Sequence, residues 1–141
     1  MKTCVIFNPS ARGEKAAKFR DHLEALSKEC VLKPTFAAGG GRALAAEAVR
    51  AGCEIIVAAG GDGTVNEVLN GIGDVPDGFM RARFGVLPLG TMNVFARELR
   101  MPTAFDRAWA VIRQGRESTI DLPEVEFGAN GNTQRRFFAQ I

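Results

Sequence analysis

Apolar positions in this chain fall into two alternating patterns, short runs of strand character and longer stretches with an apolar residue every three or four positions. Residues 3–7 form the first run and read as a strand. In residues 14–30, Ala16, Phe19, Leu23, Leu26 and Cys30 recur at steps of three and four. Lys15, Lys18, Arg20, Asp21, Glu24 and Lys28 take the other side, so one long amphipathic helix is expected. Residues 31–37 read as a second strand, Gly39-Gly40-Gly41 as a flexible turn, and residues 42–51 as a helix with Leu44, Ala45, Ala48 and Val49 inward and Gly52 at its end. Residues 53–59 are nearly all apolar, as expected of a central strand buried on both faces. A helix over 65–72, a surface loop over 73–78, a strand over 84–88 and a helix over 94–99 follow. A further helix opens at Pro102-Thr103, with Phe105, Ala108, Trp109 and Ile112 on one face. Trp109 reads as packing and His22 as a boundary residue.

Such alternation predicts an α/β fold, a parallel sheet with helices on its faces. From residue 119 the period falls to two. Residues 119–127 and 133–141 read as antiparallel strands around Asn130-Gly131, a strong hairpin signal. The second of them carries Phe137 and Phe138 on opposite faces and runs to Ile141 with no polar tail, which a natural terminus rarely does. The expected organisation is an α/β unit over residues 1–118, then a hairpin over 119–141 that leads into a further, mainly β domain outside this chain.

Composition narrows the function classes. With 141 residues and 46% hydrophobic content the chain can bury a genuine core. The net charge of +2, from 18 basic and 16 acidic residues, is too small and dispersed for a nucleic-acid stripe, so no nucleic-acid partner is expected. Cys4, Cys30 and Cys53 lie far apart, and the chain has one histidine. That excludes a zinc set and fits reduced, buried thiols in a cytoplasmic protein. No signal peptide and no apolar run of membrane-spanning length is visible.

The candidate chemistry lies in Gly60-Gly61-Asp62-Gly63-Thr64, between the central strand and the helix after it. Its glycines let the main chain approach a ligand that a Cβ would hold off. Thr64 reads as the helix opener, paired with Glu67 in a capping box, so the remaining N–H groups and positive dipole end face the turn and suit an anion. Asp62 constrains the occupant, because a carboxylate about 4 Å from a phosphate costs roughly 4 kcal/mol at an effective dielectric near 20. Either a Mg²⁺ ion bridges the two, or the carboxylate takes the proton of an acceptor hydroxyl; the plainer reading is that it satisfies loop amides.

Three motifs stand in order: Asn8-Pro9 after the first strand, Gly60-Gly61-Asp62-Gly63-Thr64 followed by Val65-Asn66-Glu67-Val68, and Pro88-Leu89-Gly90-Thr91-Met92-Asn93-Val94-Phe95-Ala96-Arg97. This set resembles the catalytic-domain family of diacylglycerol kinases, sphingosine kinases and bacterial lipid kinases, and the resemblance runs through Ile120-Asp121. It implies a three-layer nucleotide-binding domain of the NAD kinase and phosphofructokinase type, using ATP and Mg²⁺. Carried over by position, it implies that Asn8, Pro9, Ser10, Arg12, Gly60, Gly61, Gly63, Thr64, Glu67, Gly90, Thr91 and Asn93 line the nucleotide site. Asp62 would act near the γ-phosphate or its metal. Arg12 precedes Gly13, where the family usually has its basic residue after the glycine; Met92 stands where a small residue is usual, and Val94 where an aspartate is common.

The resemblance implies a lipid substrate, diacylglycerol-like or sphingoid, with transient contact to a membrane surface, a peripheral location, and a homodimer left open. Arg81, Arg83, Arg97 and Arg100 are candidates for headgroup contact, with solvated surface charge as the plainer reading. Two alternatives stand beside a lipid kinase: a module that binds nucleotide without turnover, and a NAD kinase. Against the second, this chain lacks the Asn-x-Gly-x-Leu-Gly-Phe pattern that such enzymes carry.

Overall fold

A computed structural model describes residues 1–37, 39–90, 92–115, 117, 120, 122, 124–129 and 132–137, with the backbone alone for 124–129 and 132–136. Thr91, Asp121, the Asn130-Gly131 turn, Phe138 and Ile141 therefore lie outside the described residues.

Four strands, β1 (Thr3–Phe7), β2 (Val31–Pro34), β3 (Ile55–Gly60) and β4 (Arg83–Pro88), form one parallel sheet in the order β2-β1-β3-β4. Alternation along each strand splits the core into two. Cys4, Ile6, Ile56, Ala58 and Val86 face α3 (Gly40–Arg50), α4 (Asp62–Asp74) and α6 (Val94–Glu98). Val5, Phe7, Val57, Ala59 and Leu87 face α1 (Glu14–Asp21), α2 (Leu23–Ser27) and α7 (Phe105–Gln114). This is the three-layer α/β architecture expected. Trp109 packs in the second cluster, and the His22 ring stacks on Phe105 at 4.1 Å from the half-buried boundary.

Several boundaries differ from the sequence reading. The long first helix is two, α1 and α2, because the His22 N–H turns to the Phe19 carbonyl three residues back and tightens the chain there. β2 ends at Pro34, whose missing N–H suits an edge strand. Gly40 and Gly41 belong to α3 and not to the turn before it; Gly39 alone takes the left-handed conformation, at φ 80°. α4 begins at Asp62 and continues to Asp74, and the expected loop beyond it contains a single helical turn, α5 (Gly78–Arg81). α3 and α4 cross closely: a Cβ on Gly71 would lie 2.2 Å from the Arg42 carbonyl oxygen. Arg42 also grips Asp74 through two hydrogen bonds, of 2.6 and 2.7 Å, which push its pKa further up.

β5 (Glu124–Ala129) and β6 (Asn132–Phe137) pair antiparallel as a separate two-stranded sheet, as the period of two predicted.

Candidate functional site

All four strands run the same way, so the loops that leave β1, β3 and β4 share one edge of the sheet. The chain steps outward from β1 to β2, then crosses back to β3 on the other side of β1. Neighbouring loops after β1 and β3 therefore diverge and leave a crevice, the switch point at which open α/β sheets bind ligands. The first two motifs flank it, and the third leaves β4 beside them.

Contact between backbones locks the second and third motifs together. A Cβ on Gly90 would stand 2.7 Å from the Gly61 Cα, and one on Gly61 would stand 3.4 Å from the Gly90 Cα. The Leu89 N–H donates to the Gly60 carbonyl at 3.0 Å, extending the register Gly60↔Pro88 by one step. The side chain of Asn93 is 4% exposed and closes the third motif on itself. Its Nδ2 donates to the Gly90 carbonyl at 2.7 Å and its Oδ1 accepts the Gly90 N–H at 3.0 Å. Asn93 holds the left-handed conformation, φ 49°, that this closure needs.

Asp62 faces the same junction. Its two carboxylate oxygens accept the N–H groups of Val94 and Phe95, at 3.2 and 3.3 Å, and so cap the start of α6. The carboxylate thus serves the start of another helix and not the amides of its own turn, as the plainer reading had it; each oxygen keeps a further lone pair for another partner.

The capping box is not formed. Gly61 is the N-cap of α4, with no side-chain cap, and Thr64 lies within the first turn, its hydroxyl folded over Gly60 where a Cβ would be 2.6 Å from Oγ1. Glu67 instead reaches across to α3, and its Oε1 accepts the Gly39 N–H at 2.7 Å. The physical reason is register: a helix that starts at Asp62 puts Glu67 beyond the N3 position a capping box requires. Among the described residues no side chain caps the N-terminus of α4, and a Cβ on exposed Gly63 would meet nothing within 4 Å.

On the other flank, the Asn8 Oδ1 accepts the Ser10 N–H at 2.9 Å and the Asn8 carbonyl accepts the Ala11 N–H at 3.1 Å, a compact Asx turn. Arg20 of α1 steadies the loop by donating to the Ala11 carbonyl at 2.7 Å. Asn8, Ser10 and Arg12 are exposed and Pro9 is half-buried. Of the residues the resemblance brings forward, those of the first two motifs and Gly90 gather at the crevice; Glu67 and Asn93 turn their polar atoms to the scaffold, and Thr91 lies outside the described residues.

A groove of about 490 Å³ runs between α1 and α7, past Lys18, His22, Leu89, Thr103 and Phe105. It borders the third motif, but no residue from Gly60 to Thr64 lines it. This groove and the crevice beside β1 and β3 are therefore separate features of the described residues. Among the described residues no three His, Cys, Asp or Glu side chains cluster as a metal set. Burial pushes the thiols up, Cys4 to about 12 and Cys30 to about 11, so neither supplies a thiolate near neutral pH.

Residues 2–125 match the family described as the diacylglycerol kinase catalytic domain. A diacylglycerol kinase of Staphylococcus saprophyticus is 35% identical over 97% of this chain, which spans 43% of that relative. One of Staphylococcus aureus is 33% identical over 97%, and the chain spans 41% of it. A crystal structure of a diacylglycerol kinase from Bacillus anthracis superposes with a TM-score of 0.73 at 25% identity, covering 94% of this chain and 44% of that one. The chain thus spans less than half the length of the relatives it matches.

Proposed function

This chain belongs to the diacylglycerol kinase catalytic-domain family, and from that premise we propose that it is the ATP-binding portion of a lipid kinase, which transfers the γ-phosphate of ATP to a lipid hydroxyl. The observation that carries the reading is the start of α4, uncapped among the described residues and with open space over Gly63, at the switch point of the sheet. An anion bound there gains the N–H groups and the positive end of the helix dipole. ATP fits, because the open space over Gly63 is one that any side chain would begin to fill.

Mg²⁺ fits as an ion carried with the phosphates, since it is commonly held by one or two carboxylates plus phosphate oxygens, and Asp62 is the carboxylate at hand. Once bound it would neutralise charge on the phosphates. Within this chain, the α4 amides orient the terminal phosphates and Gly63 leaves room for them, while Gly60 and Gly61 let Thr64 and Gly90 pack close behind. Asn8 to Arg12 border the other side of the crevice, with Arg12 as the cation there. Asp62 either receives the hydroxyl proton or faces the metal, while its bonds to Val94 and Phe95 fix its position.

The acceptor is a diacylglycerol-like or sphingoid lipid, met at a membrane surface by a cytoplasmic, peripheral protein. No described helix is long and apolar enough to cross a membrane. Arg81, Arg83, Arg97 and Arg100 are exposed, and Arg83 is paired with Glu117, so Arg81, Arg97 and Arg100 are the better candidates for headgroups. The family match favours the lipid-kinase reading over the NAD kinase alternative. The reading without turnover applies to residues 1–141 alone, given how little of the relatives' length they span.

Asp62→Asn in the full-length protein tests the proposal. We expect lipid phosphorylation to fall by at least about 100-fold while the ATP dissociation constant, measured with and without Mg²⁺, stays within about threefold. Unchanged phosphorylation removes Asp62 from the reaction, and absent ATP binding in the unmodified protein removes the whole assignment.

A further inference from the structure

The helix that starts at the glycine turn also holds the strand pair β5–β6, through a residue the motifs leave without a role. Asn70, in the middle of α4, is 5% exposed. Its Nδ2 donates to the Asn66 carbonyl at 2.8 Å and to the Phe137 carbonyl at 2.9 Å, and its Oδ1 accepts the Phe137 N–H at 2.7 Å. One side chain thus gives β6 the paired donor and acceptor that a neighbouring strand would give.

The rest of the seat is shaped for the same residue. Gly73 lies three positions on, hence on the same face of α4, and a Cβ there would come within 2.3 Å of the Phe137 ring. The Phe79 ring of α5 meets Phe137 edge-on, with centroids 5.4 Å apart at 83°. Gly71, between them, serves the opposite contact with α3, so residues 70, 71 and 73 fix both flanks of α4. Beyond its partner β5, β6 packs chiefly on α4.

We propose that Asn70, with Gly73 and Phe79, fixes β5–β6 on α4, and that Asn70 is thereby a positioning residue for phosphoryl transfer. α4 is a rod about 20 Å long, by its rise per residue, with the glycine turn at one end. A shift of β6 on that rod moves whatever the strand pair carries relative to Gly61 and Asp62. The effect on activity rests on the lipid-kinase reading above; the seat itself does not.

The test compares Asn70→Ala and Asn70→Asp in the full-length protein by amide hydrogen exchange and by steady-state phosphorylation of diacylglycerol vesicles. In Asn70→Ala the Phe137 amide should exchange at least about tenfold faster, with β1 and β3 amides unchanged. The kcat should fall at least about tenfold while the KM for ATP moves less than about twofold. Asn70→Asp keeps the acceptor for the Phe137 N–H but sets a carboxylate oxygen against the Asn66 and Phe137 carbonyls, so protection and kcat should fall at least as far as in Asn70→Ala. Should Asn70→Ala fail to fold, Asn70→Asp and Gly73→Ala supply the same contrast between β6 and the sheet.

Exchange accelerated equally in β1, β3 and β6 would reduce Asn70 to general support of the core and overturn the proposal, as would an unchanged Phe137 amide. Faster exchange at Phe137 with an unaltered kcat would overturn the positioning role. Unmodified protein that phosphorylates no lipid would overturn the kinase reading instead, and the exchange data would still decide the seat.

Discussion

Two glycine turns lead from strand to helix at the same edge of the sheet, one after β2 and one after β3, and they are built for different ends. After β2, the Gly39 N–H already has an anion, the carboxylate of Glu67 at 2.7 Å, and a Cβ on Gly41 would sit 2.7 Å from the same carboxylate. After β3, Gly61 is pressed against Gly90, no described side chain caps the start of α4, and Gly63 opens onto free space. Glycine content therefore does not make an anion site. What matters is whether the protein's own acceptor already fills it and whether the turn lies at the switch point of the sheet.

Gly90→Ala should break that contrast most severely. The new Cβ would push against the Gly61 backbone and Asn93 Oδ1, parting the second motif from the third. Misplacement of about 1 Å can cost on the order of 100-fold in rate, and we expect a loss of phosphoryl transfer of at least about that size in the full-length protein. Wild-type rates in this variant would show that the two turns work independently.

Gly63→Ala and Gly40→Ala sharpen the contrast, being the same change in the first turn of two helices. The Gly63 Cβ meets no atom within 4 Å and the Gly40 Cβ meets Thr35 at an ordinary 3.7 Å, so both should leave stability within about 1 kcal/mol in urea titrations. Titration with ATP should separate them, with about tenfold weaker binding in Gly63→Ala, equivalent to about 1.4 kcal/mol, and no change in Gly40→Ala. Equal affinities would place the phosphates elsewhere.

Glu67→Ala removes the internal anion. Loss of its bond to Gly39 should lower unfolding stability by about 1–2 kcal/mol, while ATP affinity changes less than about threefold. A collapse of ATP binding with stability intact would restore Glu67 to the nucleotide site.

The smallest effect concerns the sheet both turns share. Burial raises Cys4 from 9.0 to about 12 and Cys30 to about 11. The folded state then holds protons that the unfolded chain releases above its pKa of 9.0, so this contribution is complete below that pH and declines as pH rises towards about 12. A thiol reagent at pH 8 should leave Cys4 unmodified in the native protein and in Gly63→Ala and Gly40→Ala alike. Labelling in either variant would show that the substitution loosened the frame and not only the turn.

Much of this was legible from residue order. The strands were visible because Cys4, Ile6, Ile56 and Ala58 alternate with Val5, Phe7, Val57 and Ala59, and a sheet covered on both faces demands apolar residues at every position. The second and third motifs were visible because close backbone approach, to a ligand or to another turn, requires glycine. Helix ends were less so: the periodicity of Phe19, Leu23 and Leu26 continues smoothly across the break at His22, and Thr64 with Glu67 imitates a capping box although α4 begins three residues earlier than that box would start it.

The sequence by itself determined an α/β sheet with a glycine turn at its centre, the family to which the chain belongs, and a strand pair at its far end, because periodicity and glycine placement are local constraints. Only the tertiary structure decided that Asp62 caps α6, that Glu67 belongs to the Gly39 turn, that Gly61 meets Gly90, and that Asn70 seats Phe137. Each of these joins residues about 30 or more positions apart. A side chain's donors and acceptors are the same wherever it stands, and its partner is chosen by which segments the packed sheet and helices bring within 3 Å or so of it.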